Sequence, residues 1–202
     1  MIYRHFRTAV FFCLLYFPAT SVFCQEVELV WLEAEGVETA IYYSLYRDNG
    51  WSPKRILAKG SGMKVTPAIA SIKNKSMAVW VNVSELAQLS LSYAIGTNSH
   101  WQLPRKLHFD FQETTAPALI AFDQRFYLFF AGNYNDDDDI YMTVFDNNHW
   151  TEPEMVHPDN SVPDVLPEPR IVNGTLTVEW QHFDGQKYIS HSQAVRGRED
   201  SA

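Results

Sequence analysis

The chain has 202 residues, of which 46% are hydrophobic and 14% aromatic, and it carries a formal net charge of −8. This composition excludes a disordered polymer and is typical of a single folded domain with a sizeable core. The acidic balance argues against nucleic acids and anionic membranes as partners.

The N-terminal segment has the pattern of an export signal. Arg4 and Arg7 precede an apolar run at 8–17, and small residues follow it. The run is too short to span a membrane, so residues 1–24 are predicted to be a signal peptide of a secreted or periplasmic protein. Cleavage after Ser21 and cleavage after Cys24 both remain open, as does an uncleaved anchor. After cleavage no membrane insertion is expected.

Both cysteines, Cys13 and Cys24, lie in or at the edge of this segment. The mature domain, predicted at 25–195, therefore has no disulfide, although it is exported. Without residues 1–24, 14 Lys and Arg stand against 24 Asp and Glu, a net charge of −10. The stability of the mature domain must therefore come from its core. The tail at 196–202 is predicted to be disordered.

Aromatic residues recur at a nearly constant spacing along the mature chain. Trp31, Trp80, Phe130 and Trp180 are separated by 49, 50 and 50 residues, and each closes a short apolar run. Two further series share the period: Trp51, Trp101 and Trp150, each followed by a proline at 53, 104 or 153, and the strand-opening prolines Pro67, Pro117 and Pro169. Three series with one period indicate an internal structural repeat.

One repeat unit reads as four short strands. In the third unit they are predicted at Pro117–Phe122, Phe126–Ala131, Asp139–Phe145 and Trp150–Val156, segments rich in aromatic and β-branched residues. Four antiparallel strands in about 50 residues are typical of a β-propeller blade. The sequence therefore predicts an all-β, β-propeller-like fold of about four blades and roughly 14 strands.

The two ends of the chain are incomplete in terms of this unit. The chain begins at the second strand of the first unit and ends after the third strand of the fourth. Three arrangements remain open: a compact four-bladed ring with two imperfect blades, an open arc, and an arc completed by another copy of the chain. An unclosed arc exposes strand edges, so a homo-oligomer is one possible outcome.

The connection between the third and fourth strands supports a family comparison. Residues 44–51 read Ser-Leu-Tyr-Arg-Asp-Asn-Gly-Trp, which resembles the bacterial neuraminidase repeat, or Asp-box, of sialidase-like propellers and of propeller lectins. The family's turn is Ser-x-Asp-x-Gly-x-Thr-Trp, whereas here Trp51 follows Gly50 directly. The resemblance implies a structural turn, closed by Asp48 and Gly50 on the blade rim, and it implies a fold rather than an activity.

Four consecutive carboxylates, Asp136 to Asp139, are predicted to lie in a solvated loop between two strands of the third unit. A hard cation such as Ca²⁺ would relieve their repulsion, but successive side chains diverge and no glycine shapes the loop. A weak cation site is the alternative. No metal site and no cofactor are predicted.

Catalysis of the sialidase type would need three arginines to hold the substrate carboxylate. Of seven arginines in the mature chain, only Arg170 stands at the start of a first strand, so no catalytic residue is predicted. His100 and His149 precede repeat tryptophans on different units and lack His or Cys neighbours. They are interpreted as rim residues of turns rather than metal ligands.

The predicted function is non-catalytic binding, with glycans as the first partner class, through rim loops of the propeller. The repeated tryptophans are interpreted mainly as core, while Tyr46, Tyr134 and Phe183 are exposed candidates for stacking on sugar rings. The binding residues themselves cannot be assigned from the sequence. Two alternatives remain: a sialidase-like glycoside hydrolase, and a structural module that pairs through open blade edges.

Overall fold

The computed structural model describes residues 27–35, 38–60, 66–84, 86–98, 100–134, 137–158 and 161–195. The predicted signal peptide and the predicted tail at 196–202 lie outside these residues. In the described part, no helix is long and apolar enough to cross a membrane.

The described residues form seventeen strands in four antiparallel sheets, which confirms the all-β prediction. The first sheet contains β1 (Val27–Glu35), β2 (Glu38–Arg47), β3 (Gly50–Trp51) and β4 (Arg55–Gly60). The second contains β5 (Ala68–Ile72), β6 (Lys75–Val83), β7 (Leu89–Thr97), β8 (His100–Trp101) and β9 (Arg105–Lys106). The third contains β10 (Glu113–Phe122), β11 (Arg125–Tyr134), β12 (Asp137–Asp146), β13 (His149–Trp150) and β14 (Glu154–Met155). The fourth contains β15 (Asp164–Val172), β16 (Thr175–Phe183) and β17 (Tyr188–Ala194). Each sheet is built from one continuous stretch of chain, as in a propeller blade.

In each of the first three units, the predicted fourth strand is divided in two. The pairs β3 and β4, β8 and β9, and β13 and β14 flank Pro53, Pro104 and Pro153, and both members of a pair bond to the same neighbouring strand. Proline has no N–H, so it interrupts the ladder at that point. With each pair counted as one strand, the sheets have three, four, four and three strands, as the sequence predicted.

The prediction that a proline opens the first strand is right for one unit and wrong for two. Pro67 directly precedes β5, but Pro117 and Pro169 lie inside β10 and β15. Pro117 lies in a bulge with Ala116, whose φ is 46°, and Pro169 follows a bulge that contains Leu166, whose φ is 56°. Bulges and edge strands tolerate proline, because part of their N–H groups do not bond to a neighbouring strand.

Neighbouring sheets pack face to face around the repeated aromatic residues. Three buried clusters join the first sheet to the second, the second to the third and the third to the fourth. Trp80, Phe130 and Trp180 lie in these clusters and are at most 5% exposed, while Trp31 is partly buried. The repeat therefore places one large aromatic side chain in the core of the second, third and fourth sheets.

The second tryptophan series makes a repeated contact between sheets. Trp101 packs on Tyr43 of the first sheet with ring centroids 5.9 Å apart, and Trp150 packs on Tyr93 of the second sheet at 5.6 Å. In the described chain no sheet precedes the first one, and Trp51 is 52% exposed. The exposure of Trp51 thus follows from its place at the start of the array.

The described array has two free faces. None of the three buried clusters within the described residues joins the fourth sheet to the first. Large exposed hydrophobic residues concentrate on these two sheets: Val27, Leu29, Trp51 and Ile56 on the first, and Leu166, Ile171, Val172, Tyr188 and Ile189 on the fourth. Of the three arrangements left open by the sequence, the described residues show an arc.

The hairpin that resembles an Asp-box is closed differently from the family pattern. Asp48 and Asn49 adopt φ values of 49° and 62°, and Asn147 and Asn148 of the third sheet adopt 47° and 66°. Two consecutive residues of positive φ are typical of a type I′ turn. Gly50 is already part of β3, so the expectation that Asp48 and Gly50 together close the turn is wrong.

Candidate functional site

The acidic run is not a solvated loop, in contrast to the prediction. Asp137, Asp138 and Asp139 begin β12, and Asp136 lies outside the described residues. Successive side chains of a strand point to opposite sides, which separates these carboxylates. Asp138 accepts a hydrogen bond from Asn133 Nδ2 at 3.0 Å, whereas Asp139 is only 3% exposed. The carboxylate of Asp139 is therefore directed into the interior.

Asp139 meets two distant residues at the junction of the third and fourth sheets. His157 lies in the connection after β14, and Asp164 is the first residue of β15. Nε2 of His157 is 3.8 Å from Asp139 Oδ1 and 3.4 Å from Asp164 Oδ2. All three residues are buried, and one ligand atom from each lies within 4.8 Å of the others. We refer to Asp139, His157 and Asp164 as the Asp–His centre.

The backbone fixes the orientation of the histidine in this centre. His157 Nδ1 is 3.0 Å from the carbonyl oxygen of Pro158. A carbonyl only accepts hydrogen bonds, so Nδ1 carries the proton. Nε2 then faces the two carboxylates, and the N–H of Ile140 approaches it at 3.3 Å. In the neutral ring, Nε2 presents its lone pair to the Asp–His centre.

The fourth sheet holds the carboxylate of Asp164 in place. Its Oδ1 accepts a hydrogen bond from Trp180 Nε1 at 2.7 Å and lies 3.0 Å from His182 Nδ1, which leaves Oδ2 directed at His157. The Trp180 ring stacks between His157 at 5.1 Å and His191 at 5.8 Å. His157 and Asp164 are thus oriented by neighbouring contacts.

The preceding junction shows what the fold alone requires at these positions. By strand register, Ser90 corresponds to Asp139 and Thr114 to Asp164. The backbone N–H groups of Leu107 and Val156 donate equivalent hydrogen bonds in the two units. The residue after each donor is therefore equivalent too, which makes His108 the counterpart of His157, yet His108 is exposed. The scaffold therefore forms this junction without carboxylates, and the Asp–His centre is specific to the third and fourth sheets.

A second feature is an open cleft of about 440 Å³ between the outer hairpins of the first and second sheets. Arg47, Trp51 and Arg55 line it from the first sheet, and Asn98 and His100 line it from the second. Arg47 and Arg55 are exposed. We call this region the basic cleft.

The positive charge of the basic cleft is not a property of the repeat. By register, Asp146 and Glu154 of the third sheet occupy the positions of Arg47 and Arg55. They line a separate, smaller cleft, where Arg125 Nε lies 3.9 Å from Asp146 Oδ2. The same scaffold position is thus basic in one sheet and acidic in another.

The two rim histidines are exposed, as interpreted from the sequence, but each begins a two-residue strand rather than lying in a turn. Nδ1 of His100 is 2.9 Å from the carbonyl oxygen of Asn98, and Nδ1 of His149 is 3.4 Å from that of Asn147. His100 also lines the basic cleft. The sequence did not predict its place in this cleft.

Arg170 is not placed to hold a substrate carboxylate. It lies within β15, where NH2 is 2.8 Å from Glu168 Oε2 and NH1 is 3.3 Å from Glu179 Oε2. The hydrogen bond to Glu168, and then the charge of Glu179, raise the pKa of this exposed guanidinium above its ordinary value. Two protein carboxylates already share the arginine.

The aromatic residues proposed for sugar stacking differ in exposure. Tyr134 is 56% exposed, whereas Tyr46 and Phe183 are partly buried. Tyr46 packs against Trp51 with ring centroids 5.3 Å apart. The structure therefore adds Trp51, the repeat tryptophan left outside the core, to the aromatic candidates.

Comparisons with known proteins identify no family. No family model matches the chain, and no curated protein matches it, so the Asp-box resemblance gains no support. Among solved structures, a Bacteroides ovatus protein titled "Xyloglucan PUL GH43B" matches with a TM-score of 0.49 and 10% identity over 84% of this chain. This chain spans 38% of that protein's length. An endo-arabinase from Bacteroides thetaiotaomicron matches with a TM-score of 0.39 and 8% identity, over 84% of this chain and 94% of the other. Values this low establish neither kinship nor a shared activity.

Proposed function

We propose that the protein is an exported, non-catalytic carbohydrate-binding protein that holds an acidic glycan in the basic cleft. The observation that carries the proposal is the convergence of Arg47, Arg55 and His100 in one open cleft. These residues come from two sheets and from hairpins on one rim. Rim loops on a rigid β-scaffold are a common location for ligand sites.

The residue types match the chemistry of an acidic sugar. Guanidinium groups bind carboxylate and sulfate oxygens through parallel N–H donors. The cleft volume of about 440 Å³ lies within the usual range for small-molecule sites. A uronate or a sulfated sugar carries an anionic group of this kind.

The overall charge of the protein reinforces this choice of ligand. With 14 basic and 24 acidic residues after position 24, most of the surface repels an anion. A local group of cationic side chains then becomes the favoured place of encounter, and the attraction weakens as salt is added. We therefore expect acidic glycans to bind more tightly than neutral glycans of equal length.

Calorimetric titration with oligogalacturonate and with the matching neutral oligogalactose tests the proposal. We expect saturable binding of the acidic oligosaccharide and at least tenfold weaker binding by the Arg47→Ala, Arg55→Ala double variant. Arg105→Ala is the matched control, because Arg105 has the register position of Arg55 in the second sheet and does not line the cleft. Equal binding of both sugars, or full binding by the double variant, would contradict the proposal.

A glycoside hydrolase has less support than a binding protein. The paired carboxylates Asp139 and Asp164 are 3% and 0% exposed, so a substrate has no access to them in this structure. The exposed pair Glu168 and Glu179 is bridged by Arg170. Release of reducing sugar from any oligosaccharide that binds would favour the enzyme instead.

A second function, self-assembly, is favoured by the free face of the first sheet. Register places Leu29, Trp51 and Ile56 on this face, and all three are exposed. The second and third sheets bury the equivalent face against the preceding sheet. The first sheets of two copies can therefore pack on each other. Light scattering over a range of concentrations should show a dimer that Leu29→Lys dissociates, and a monomer throughout would exclude it.

A further inference from the structure

We propose that Asp139, His157 and Asp164 bind one divalent transition-metal ion, with Zn²⁺ the best match, and that this ion fastens the third sheet to the fourth. The inference concerns the Asp–His centre and does not depend on glycan binding in the basic cleft. It replaces the expectation of no metal site, and it places the site at a buried junction rather than in an acidic loop.

The distances in the centre suit metal coordination better than direct hydrogen bonding. A hydrogen bond from nitrogen to oxygen spans roughly 2.7–3.2 Å, whereas Nε2 of His157 is 3.4 Å from Asp164 Oδ2 and 3.8 Å from Asp139 Oδ1. Nitrogen and oxygen ligands about 2.0–2.1 Å from a tetrahedral zinc ion stand about 3.3 Å apart. The two separations from Nε2 are therefore close to the one that a shared ion would impose, and the third pair of ligand atoms lies within 4.8 Å.

The surroundings of the ligands have the features that orient metal-binding residues. Nδ1 of His157 is fixed by the carbonyl of Pro158, so the opposite nitrogen is directed at the carboxylates. Oδ1 of Asp164 is held by Trp180 and His182, so Oδ2 is the oxygen offered to the ion. In the loaded centre, the lone pair of Nε2 binds the metal instead of the N–H of Ile140, whose present contact of 3.3 Å is long.

Charge compensation supports a divalent ion. Asp139 and Asp164 are almost completely buried, and buried carboxylates are costly unless a counter-charge accompanies them. His157 and His182 supply a positive charge only when protonated, whereas a divalent cation balances both carboxylates while the imidazoles stay neutral. The preceding junction has Ser90 and Thr114 at these positions, so the carboxylates are not needed to pack the sheets.

The donor set also selects the class of metal. One imidazole nitrogen and two carboxylate oxygens are typical of zinc and its first-row neighbours. Calcium prefers six to eight oxygen ligands. We therefore expect Zn²⁺, Co²⁺ and Mn²⁺ to bind, and Ca²⁺ to compete poorly.

The first test measures metal content and thermal unfolding of the purified protein. After incubation with Zn²⁺ and gel filtration, we expect about one zinc ion per chain by mass spectrometry. Removal of the ion with a chelator should lower Tm, and Zn²⁺ should restore it while Ca²⁺ should not. Co²⁺ should give the visible absorption bands of a low-symmetry site. The proposal would be overturned if the folded protein bound no metal and its Tm did not change with Zn²⁺, Co²⁺ or chelator.

Variants separate ligation from simple packing. Asp139→Asn keeps the side-chain volume and should lower zinc affinity at least tenfold, as should His157→Gln. His108→Ala is the matched control, because His108 is the exposed counterpart of His157 in the preceding unit. His182→Gln alters only the positioning of Asp164, and we expect it to weaken zinc binding by about tenfold while the one-to-one stoichiometry remains. Unchanged zinc affinity in both Asp139→Asn and His157→Gln would also refute the site.

Discussion

Trp180 donates a hydrogen bond from its indole nitrogen to Asp164 Oδ1 at 2.7 Å, and the two residues are 5% and 0% exposed. The bond joins the first two strands of the fourth sheet, β15 and β16. A hydrogen bond to a buried carboxylate has a larger effect when lost than one to a neutral group. This relationship therefore distinguishes Trp180 from the other repeat aromatics.

Trp180→Phe should destabilise the protein by about 1–3 kcal/mol, because the ring remains while a buried carboxylate loses a donor. Trp80→Phe is the comparison, since Trp80 has the same repeat position and donates to the neutral Asn82 Oδ1 at 3.2 Å. Urea unfolding of both variants, with the centre free of metal, checks the difference. A Trp80 variant that loses as much stability as the Trp180 variant would contradict the role assigned to the carboxylate.

Gly132→Ala should destabilise the third sheet by overpacking. An added Cβ would lie 2.9 Å from Tyr141 Cδ2 and 3.0 Å from Phe111 Cδ1. Forced shifts in a close-packed core cost about 1–3 kcal/mol. Gly50→Ala is the control, because nothing lies within 4 Å of its added Cβ. Thermal unfolding should show a clear loss for Gly132→Ala and little change for Gly50→Ala.

Two tryptophans of the second series, Trp150 and Trp51, should respond differently to truncation. Trp150 packs on Tyr93 and Phe145, so Trp150→Ala should cost about 3 kcal/mol. Trp51 is half exposed, and Trp51→Ala should cost under about 1 kcal/mol. Chemical denaturation at a concentration that keeps the protein monomeric checks this order. Similar losses would mean that the face bearing Trp51 is covered.

Asp184 should give the turn between β16 and β17 a pH dependence. Its Oδ1 accepts backbone hydrogen bonds from Gln186 at 2.9 Å and Lys187 at 2.8 Å, and the bond from Lys187 is the main cause of its lowered pKa. Because the folded pKa is lowered, the stabilisation is present above the ordinary pKa and is lost as pH falls through the folded value. Hydrogen exchange at Lys187 should accelerate in Asp184→Ala. An NMR titration of Asp184 at or above the ordinary aspartate pKa would contradict this prediction.

The architecture could be predicted from the sequence because several residue series recur with the same spacing. Trp80, Phe130 and Trp180 return to one core position, and their spacing located the sheets before any contact was known. The prolines were less informative. Pro117 marks a bulge inside an edge strand rather than its start, and single-sequence patterns do not separate the two cases.

The sequence could not assemble the candidate sites, because their members are far apart in the chain and ordinary in type. Asp139, His157 and Asp164 meet only when two sheets pack. A usable signal was present in the repeat itself. When the repeat units are aligned, Asp164 stands where the preceding unit has Thr114. This departure from the repeat is visible in the sequence alone.

Each sheet pairs strands that follow one another in the chain, and no sheet borrows a strand from another within the described residues. Such contacts close short loops, so each unit can begin to fold as soon as its own fifty or so residues emerge from the ribosome. The same independence has an evolutionary consequence. A unit gained or lost by duplication or deletion would leave the hydrogen bonding of its neighbours intact, so the number of sheets can change without redesign of those that remain.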